Sequence, residues 1–191
     1  MKRCVLLMAM VLGLSFSIAQ AEVRMPAVFG DHMVLQRDAP VPVWGWADAG
    51  EQVTVSIEGQ SVSAKAQPDG RWRVDLQPMP HGGPFVLSIK TSDDSLQIND
   101  VLVGDVWLCT GQSNMDFPLY KSDNAQAAMD QAADYPNVRL FKVERHVATE
   151  PQDDCGGQWM TNTPENARSI TAVGYYFGQK LSDELDVPIG L

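Results

Sequence analysis

Histidine and cysteine are scarce in this chain, and the scarcity excludes several chemistries at once. Of 191 residues only three are histidine (His32, His81 and His146) and three are cysteine. No Cys or His pair has the spacing of a zinc site, so neither metal nor cofactor is expected. Only Cys109 and Cys155 lie beyond residue 21, and two cysteines do not make a disulfide framework. They are free to pair in an oxidising compartment, although Cys109 stands in an apolar run and reads as a buried thiol.

Positive charge is also short. Fourteen Lys and Arg face 24 Asp and Glu, for a net charge of −10. Without a basic cluster there is no footprint for a phosphate backbone, and nucleic acid is excluded as a partner. The acidity suits solubility more than it identifies a substrate. Long hydrophobic runs are missing after residue 21, so no membrane span is expected there. The one such run is at the start. Lys2 and Arg3 precede an apolar stretch over 4–18, and Ala19-Gln20-Ala21 is a small-x-small ending. This is the pattern of a secretory signal peptide cleaved after Ala21, and it places the protein in the periplasm or outside the cell. The signal carries two basic and no acidic residues, which leaves a mature chain of about −12.

What is present divides into two characters. Over 22–99, short alternating segments are separated by turns. Val53, Val55 and Ile57 alternate with polar residues, as do Trp72, Val74 and Leu76, then Leu87 with Ile89 and Leu96 with Ile98. Gly59, Pro68-Asp69-Gly70 and His81-Gly82-Gly83-Pro84 punctuate them. A small all-β sandwich is expected. Trp44, Trp46 and Trp72 fit either its core or an aromatic platform for sugar rings.

From residue 100 the pattern turns to α/β. Residues 101–109 are nearly continuously apolar, as in a strand covered on both faces. Asp123 and Gln126 resemble a capping box for a helix running to Ala133. Val138, Leu140 and Phe141 mark a second buried strand. Thr163-Pro164 or Ser169 opens another helix, with Ile170, Val173, Phe177, Leu181 and Leu185 as its apolar face. Gly174 and Gly178 would let that helix approach a neighbour closely. A third strand opens over 187–191, with a frayed edge expected there, and the pattern reads as the front part of a longer protein. The division is therefore a signal over 1–21, a β-sandwich over 22–99 and an incomplete α/β domain over 100–191.

The segment that carries chemistry is Gly111-Gln112-Ser113-Asn114-Met115. A buried strand runs into a glycine turn, then a serine with polar neighbours. That places a hydroxyl at the C-terminal edge of a parallel sheet, where backbone N–H groups can stabilise an oxyanion. Met115 stands where a Gly-x-Ser-x-Gly elbow has its second glycine. Taken alone, Ser113 also fits an ordinary turn serine that caps a following helix.

Preceded by Val106-Trp107-Leu108-Cys109, this motif resembles the first block of the SGNH hydrolases in their sialate O-acetylesterase branch. Three further segments resemble the family in the same order. They are Phe29-Gly30-Asp31-His32-Met33-Val34-Leu35-Gln36-Arg37, then Val41-Pro42-Val43-Trp44-Gly45-Trp46-Ala47 with Gly50, and Ala172-Val173-Gly174-Tyr175-Tyr176-Phe177-Gly178. The resemblance implies a flavodoxin-like α/β hydrolase fold, a parallel sheet with flanking helices, preceded by a β-domain. It implies an exported esterase that removes acetyl groups from sialic acids or other acetylated glycans, without cofactor. Ser113 matches the nucleophile and one oxyanion N–H, and Gln112 and Asn114 flank it as positioning residues. The family's base, in an Asp-x-x-His pair, and its other oxyanion donors belong to later blocks. Here Phe29, Pro78 and Val143 stand three residues before the histidines, so none has that spacing. These 191 residues alone are expected to turn over little. A glycan-binding module without catalysis and an acetylxylan esterase are the competing readings.

Overall fold

A computed structural model of the protein describes residues 22–191. The expected signal peptide over 1–21 lies outside the described residues. Among them, no helix is long and apolar enough to cross a membrane.

The alternating segments form strands as expected. After β1 (Val34–Gln36) come β2 (Val41–Trp46), β3 (Gln52–Ile57), β4 (Gln60–Lys65), β5 (Arg71–Leu76) and β6 (Gly82–Lys90). Val53, Val55 and Ile57 of β3 face one core with Trp72, Val74 and Leu76 of β5, because successive side chains on a strand point to opposite faces. β3 and β4 are a hairpin turned at Gly59, which has a φ of +73° that suits glycine. β2 and β5 form a separate two-stranded sheet. The Gly82-Gly83-Pro84 segment, expected as a turn, instead opens β6 with an irregular register against its neighbour.

That neighbour is β7 (Ser95–Val106), on which the architecture depends. Its first part pairs antiparallel with β6, and its last two residues pair parallel with β10 (Ile189–Gly190). The boundary expected at 99/100 therefore falls inside one strand. β8 (Val138–Phe141) pairs parallel with β10, and β9 (Trp159–Thr161) pairs antiparallel with β8. The result is one mixed sheet in the order β4-β3-β6-β7-β10-β8-β9, with β1 parallel on the other side of β7.

The three strands of the α/β part, β7, β10 and β8, run parallel as expected, and the antiparallel pairs come from β3, β4, β6 and β9. The strand order departs from the flavodoxin-like one, because the third strand of the α/β part lies between the first and second. In a flavodoxin-like order the first strand would hold that place. The reason is occupancy of β7. On one side Leu102 N–H donates to Met33 O and Val106 N–H to the Gln36 side chain, so β1 blocks that edge. On the other, Asp105 N–H donates to Pro188 O and Trp107 N–H to Gly190 O. No edge remains for β8, which pairs outside β10. The 187–191 segment is accordingly not a frayed edge. Val187, Ile189 and Leu191 are buried, and Leu191 bonds Arg139 and Phe141 through its backbone.

The helices also depart from expectation. α1 (Ala125–Asp130) starts at Asn124 in the left-handed region, with no side-chain cap. Gln126 donates to Asp130 instead of closing a capping box. α2 (Pro164–Ala167) begins at Thr163, and α3 (Ala172–Leu185) begins at Thr171 rather than Ser169. α3 buries Ala172, Gly174, Tyr175 and Gly178, so its buried stripe is built of small residues around one tyrosine. Val173, Phe177 and Leu185 of the expected apolar face are 40–53% exposed. The close approach expected of the glycines is present. A Cβ at Gly174 would lie 2.8 Å from Cys109 Sγ, and one at Gly178 would lie 2.6 Å from Leu191 Cδ1.

Candidate active site

Ser113 follows directly from the way β7 ends. The strand is buried over 101–104 and opens to solvent at Val106, Trp107 and Leu108, the last 84% exposed. The expectation of a covered strand to residue 109 is corrected to one that ends at Val106. The chain then turns over 112–116, where Asp116 N–H donates to Gln112 O at 3.0 Å. Gln112, Ser113 and Asn114 are all exposed on this turn.

No helix follows the turn immediately, so Ser113 is not a helix cap. Pro118 has no N–H to continue one, and the neighbouring groups are already bonded to the start of α3. Ala172 N–H donates to Phe117 O at 2.8 Å and Leu119 N–H to Ile170 O at 2.8 Å. Met115 takes part in the same junction. Its Cβ would be 3.1 Å from a Cβ at Gly111, and its sulfur accepts from Thr171 Oγ1 at 3.4 Å. Thr171 also accepts from Gly174 N–H as the N-cap of α3. Thr171→Ala is expected to lose about 1 kcal/mol of stability through the cap and to broaden the Ser113 turn amide signals. A wild-type urea midpoint with unchanged Ser113 resonances would refute that coupling.

A largely apolar cavity of about 360 Å³ lies beside this turn, lined by Trp107, Cys109, Met115, Val143, Trp159 and Thr171 among others. Arg145 on its rim forms an ion pair with Asp116, which ties the segment after β8 to the serine turn. Cys109 and Cys155 both line the cavity as free, half-buried thiols. Burial pushes the Cys109 thiol up, away from the thiolate that a cysteine nucleophile requires.

The histidines lie elsewhere. His146 is exposed next to the paired Arg145. His32 has a carboxylate partner that sequence spacing did not reveal, because Asp100 is 68 residues away. Its Nδ1 lies 2.6 Å from Asp100 Oδ2. Arg139 of β8, almost fully buried, grips the same carboxylate at 2.5 and 3.1 Å. Asp100 precedes the end of β7 by about 20 Å of strand, so this Asp–His pair is far from Ser113 and is structural. Among the described residues, no side-chain hydrogen bond reaches Ser113. Asp105, nearer that end of the strand, is also engaged. Arg37 binds it through two nitrogens at 2.8 and 3.2 Å and holds its carboxyl below the usual range.

The Asp100 clasp has a pH consequence. The Arg139 hydrogen bonds first, and the His32 bond after them, hold the Asp100 carboxyl below its ordinary value. Its stabilisation is therefore present above the unfolded carboxylate pKa of about 3.9 and lost as pH falls through the lowered folded value. Asp100→Asn should cost about 2 kcal/mol at neutral pH, less than a fully buried pair because Asp100 is partly exposed. It should also flatten the acid limb of the stability profile. An acid limb identical to that of the wild type would remove Asp100 from this role.

No family model matches the chain. The sialate O-acetylesterase of Rattus norvegicus is 36% identical, over 88% of this chain and 34% of that protein. That of Homo sapiens is 37% identical, over 88% and 36%. Over the residues compared, the chain is similar to the sialate O-acetylesterases. The crystal structure of a carbohydrate acetylesterase from Xanthomonas citri agrees, with a TM-score of 0.85 and 42% identity over 88% of this chain and 39% of the other. The chain thus spans about a third of the length of the curated sialate O-acetylesterases it matches.

Proposed function

We propose that Ser113 is the nucleophile of an exported glycan O-acetylesterase. The observation that supports this most directly is the exposed Gly111-Gln112-Ser113-Asn114-Met115 turn at the end of β7, held by α3, in a chain similar to the sialate O-acetylesterases. Ser113 Oγ attacks the acetyl carbonyl carbon while a base takes its proton. The tetrahedral oxyanion is held by N–H donors, that of Ser113 among them. It collapses by breaking the bond to the sugar oxygen, which leaves as the hydroxyl with the proton returned by the base. Water, deprotonated in the same way, then releases acetate and regenerates Ser113. Gln112 and Asn114 hold the turn's geometry. Acetylated sialic acids are the substrate class this reading favours, and acetylated xylan is the other glycan to be compared with it.

The base is not one of the three histidines of this chain. His32 is engaged with Asp100, His146 has no carboxylate at the family spacing, and no side chain reaches Ser113 among the described residues. These residues contribute the nucleophile and one oxyanion donor, and activity requires a base from further sequence. Acetate release from an acetylated sialoside and from acetylated xylan, by this chain and by the product of the full reading frame, tests the reading. Strong turnover by residues 1–191 alone would show that the base is within them.

A further inference from the structure

The outer face of the β2–β5 sheet carries a second cavity, of about 500 Å³, remote in sequence from the serine turn. Along β2, Val41, Val43 and Gly45 face the core, while Pro42, Trp44 and Trp46 face outward and are half-buried. The register places Trp44 opposite Arg73 and Trp46 opposite Arg71, so each indole sits across from a guanidinium. Trp72, opposite Gly45, is 2% exposed and packs in the core, so it closes the bottom of the cavity without offering an open ring face.

Both outward rings are held in place. Phe29 meets Trp44 at 78° with centroids 4.7 Å apart, and Arg24 lies 3.9 Å over Trp46. A platform that is already ordered loses little entropy when a ligand lands on it. The rim is polar but has no surplus charge. Arg71 is bonded to Asp153 and Arg73 to Asp75, while Arg24 lies 3.8 Å from Asp154. Paired groups of this kind offer donors and acceptors to hydroxyls without selecting an anion.

We propose that this face, with Trp44 and Trp46 as its floor and Gln67, Arg71, Arg73 and Asp153 as its rim, binds a neutral oligosaccharide. Aromatic faces cover the apolar C–H faces of sugar rings, and the rim groups bond the hydroxyls. Trp44 and Trp46 are two residues apart on one strand face, about 7 Å, so the floor is extended and suits a chain of sugars rather than one ring. The site stands independently of the esterase reading and survives if Ser113 proves not to be the nucleophile.

The test is titration of the whole chain with xylohexaose and mannohexaose, read by tryptophan fluorescence and calorimetry, with sialyllactose as the anionic comparison. At least one neutral oligosaccharide should bind at millimolar concentration or below, and sialyllactose no more tightly. Trp44→Ala should weaken that binding by about tenfold. Arg73→Ala, a change on the solvent side that leaves the core intact, should weaken it by about threefold. The proposal is overturned if neither neutral oligosaccharide binds. It is equally overturned if folded Arg73→Ala and Trp44→Ala both bind like the wild type, or if sialyllactose binds much more tightly than either neutral chain.

Discussion

Ser113→Ala, made in the product of the full reading frame, is expected to lower kcat for acetyl-ester hydrolysis by about 10⁴-fold or more. KM should change little, because the serine hydroxyl adds little to ground-state binding. The expectation rests on position. Ser113 is exposed on a turn fastened at both ends, by Trp107 N–H to Gly190 and by Ala172 N–H to Phe117. Removing one oxygen from such a turn leaves the backbone N–H and the neighbouring cavity intact, so the folded state and the residual oxyanion site remain. The loss should therefore appear in the chemical step alone. Burst kinetics with a chromogenic acetate ester separate that step, since an acyl-enzyme on Ser113 requires the burst to vanish in the variant. A Ser113→Ala enzyme that keeps both the burst and its turnover would move the nucleophile elsewhere. Cys109 is a poor replacement, because its thiol is pushed up by burial.

Much of this arrangement was legible in the sequence where one local signal sufficed. The period-two alternation located β3, β5 and the core half of β6, since a strand with one buried face must alternate. Likewise, the continuous apolar run located β7, and the glycine spacing located the close approach of α3 to Cys109 and Leu191. What could not be read depends on partners far apart in the chain. β1 has three residues, too few to show a period, and its role as the strand that blocks one edge of β7 follows from pairing with Leu102, Val103 and Gly104. The sheet order depends on that blocked edge and was misread for the same reason. On α3 the helical period was right but its inward side was not. Val173 and Phe177 are larger and more apolar than the Ala172, Gly174 and Gly178 that are buried around Tyr175, and hydrophobicity alone favours them. The helix instead turns its small residues inward so that it can lie close to the sheet. For the site itself, Ser113, Gln112 and Asn114 sit on an exposed turn after β7. The His32–Asp100–Arg139 clasp was invisible, because its carboxylate and its cation come from strands that sequence does not place together.

Gly104→Ala should be the most damaging single-methyl change in the sheet. In an ordinary strand the exchange stabilises by about 0.5–1 kcal/mol, because alanine has less conformational freedom to lose. Here the sign reverses. A Cβ at Gly104 would lie 2.0 Å from Pro188 O and 2.6 Å from Pro188 C, and both are backbone atoms that no rotamer change can move. To admit the methyl group, β10 must draw back from β7. That breaks the bonds from Asp105 N–H to Pro188 O and from Trp107 N–H to Gly190 O, and it loosens the packing of Ile189 and Leu191. A loss of about 3 kcal/mol is expected. It should be accompanied by faster hydrogen exchange at the Trp107, Leu191 and Phe141 amides than at those of β3. Gly30→Ala is the control. Its nearest neighbour would be Ala27 O at 3.9 Å, and the same methyl group there should leave the urea midpoint unchanged or slightly raised. If Gly104→Ala unfolded at the wild-type midpoint, β10 would not be seated against β7 as described. Trp107 N–H is the last ladder donor before the chain leaves for Ser113, so the same withdrawal frees the root of the serine turn. With Ser113 as the proposed nucleophile, Gly104 would act on catalysis without touching substrate. Its alanine variant, assayed at a temperature where it remains folded, should lose kcat while Gly30→Ala does not.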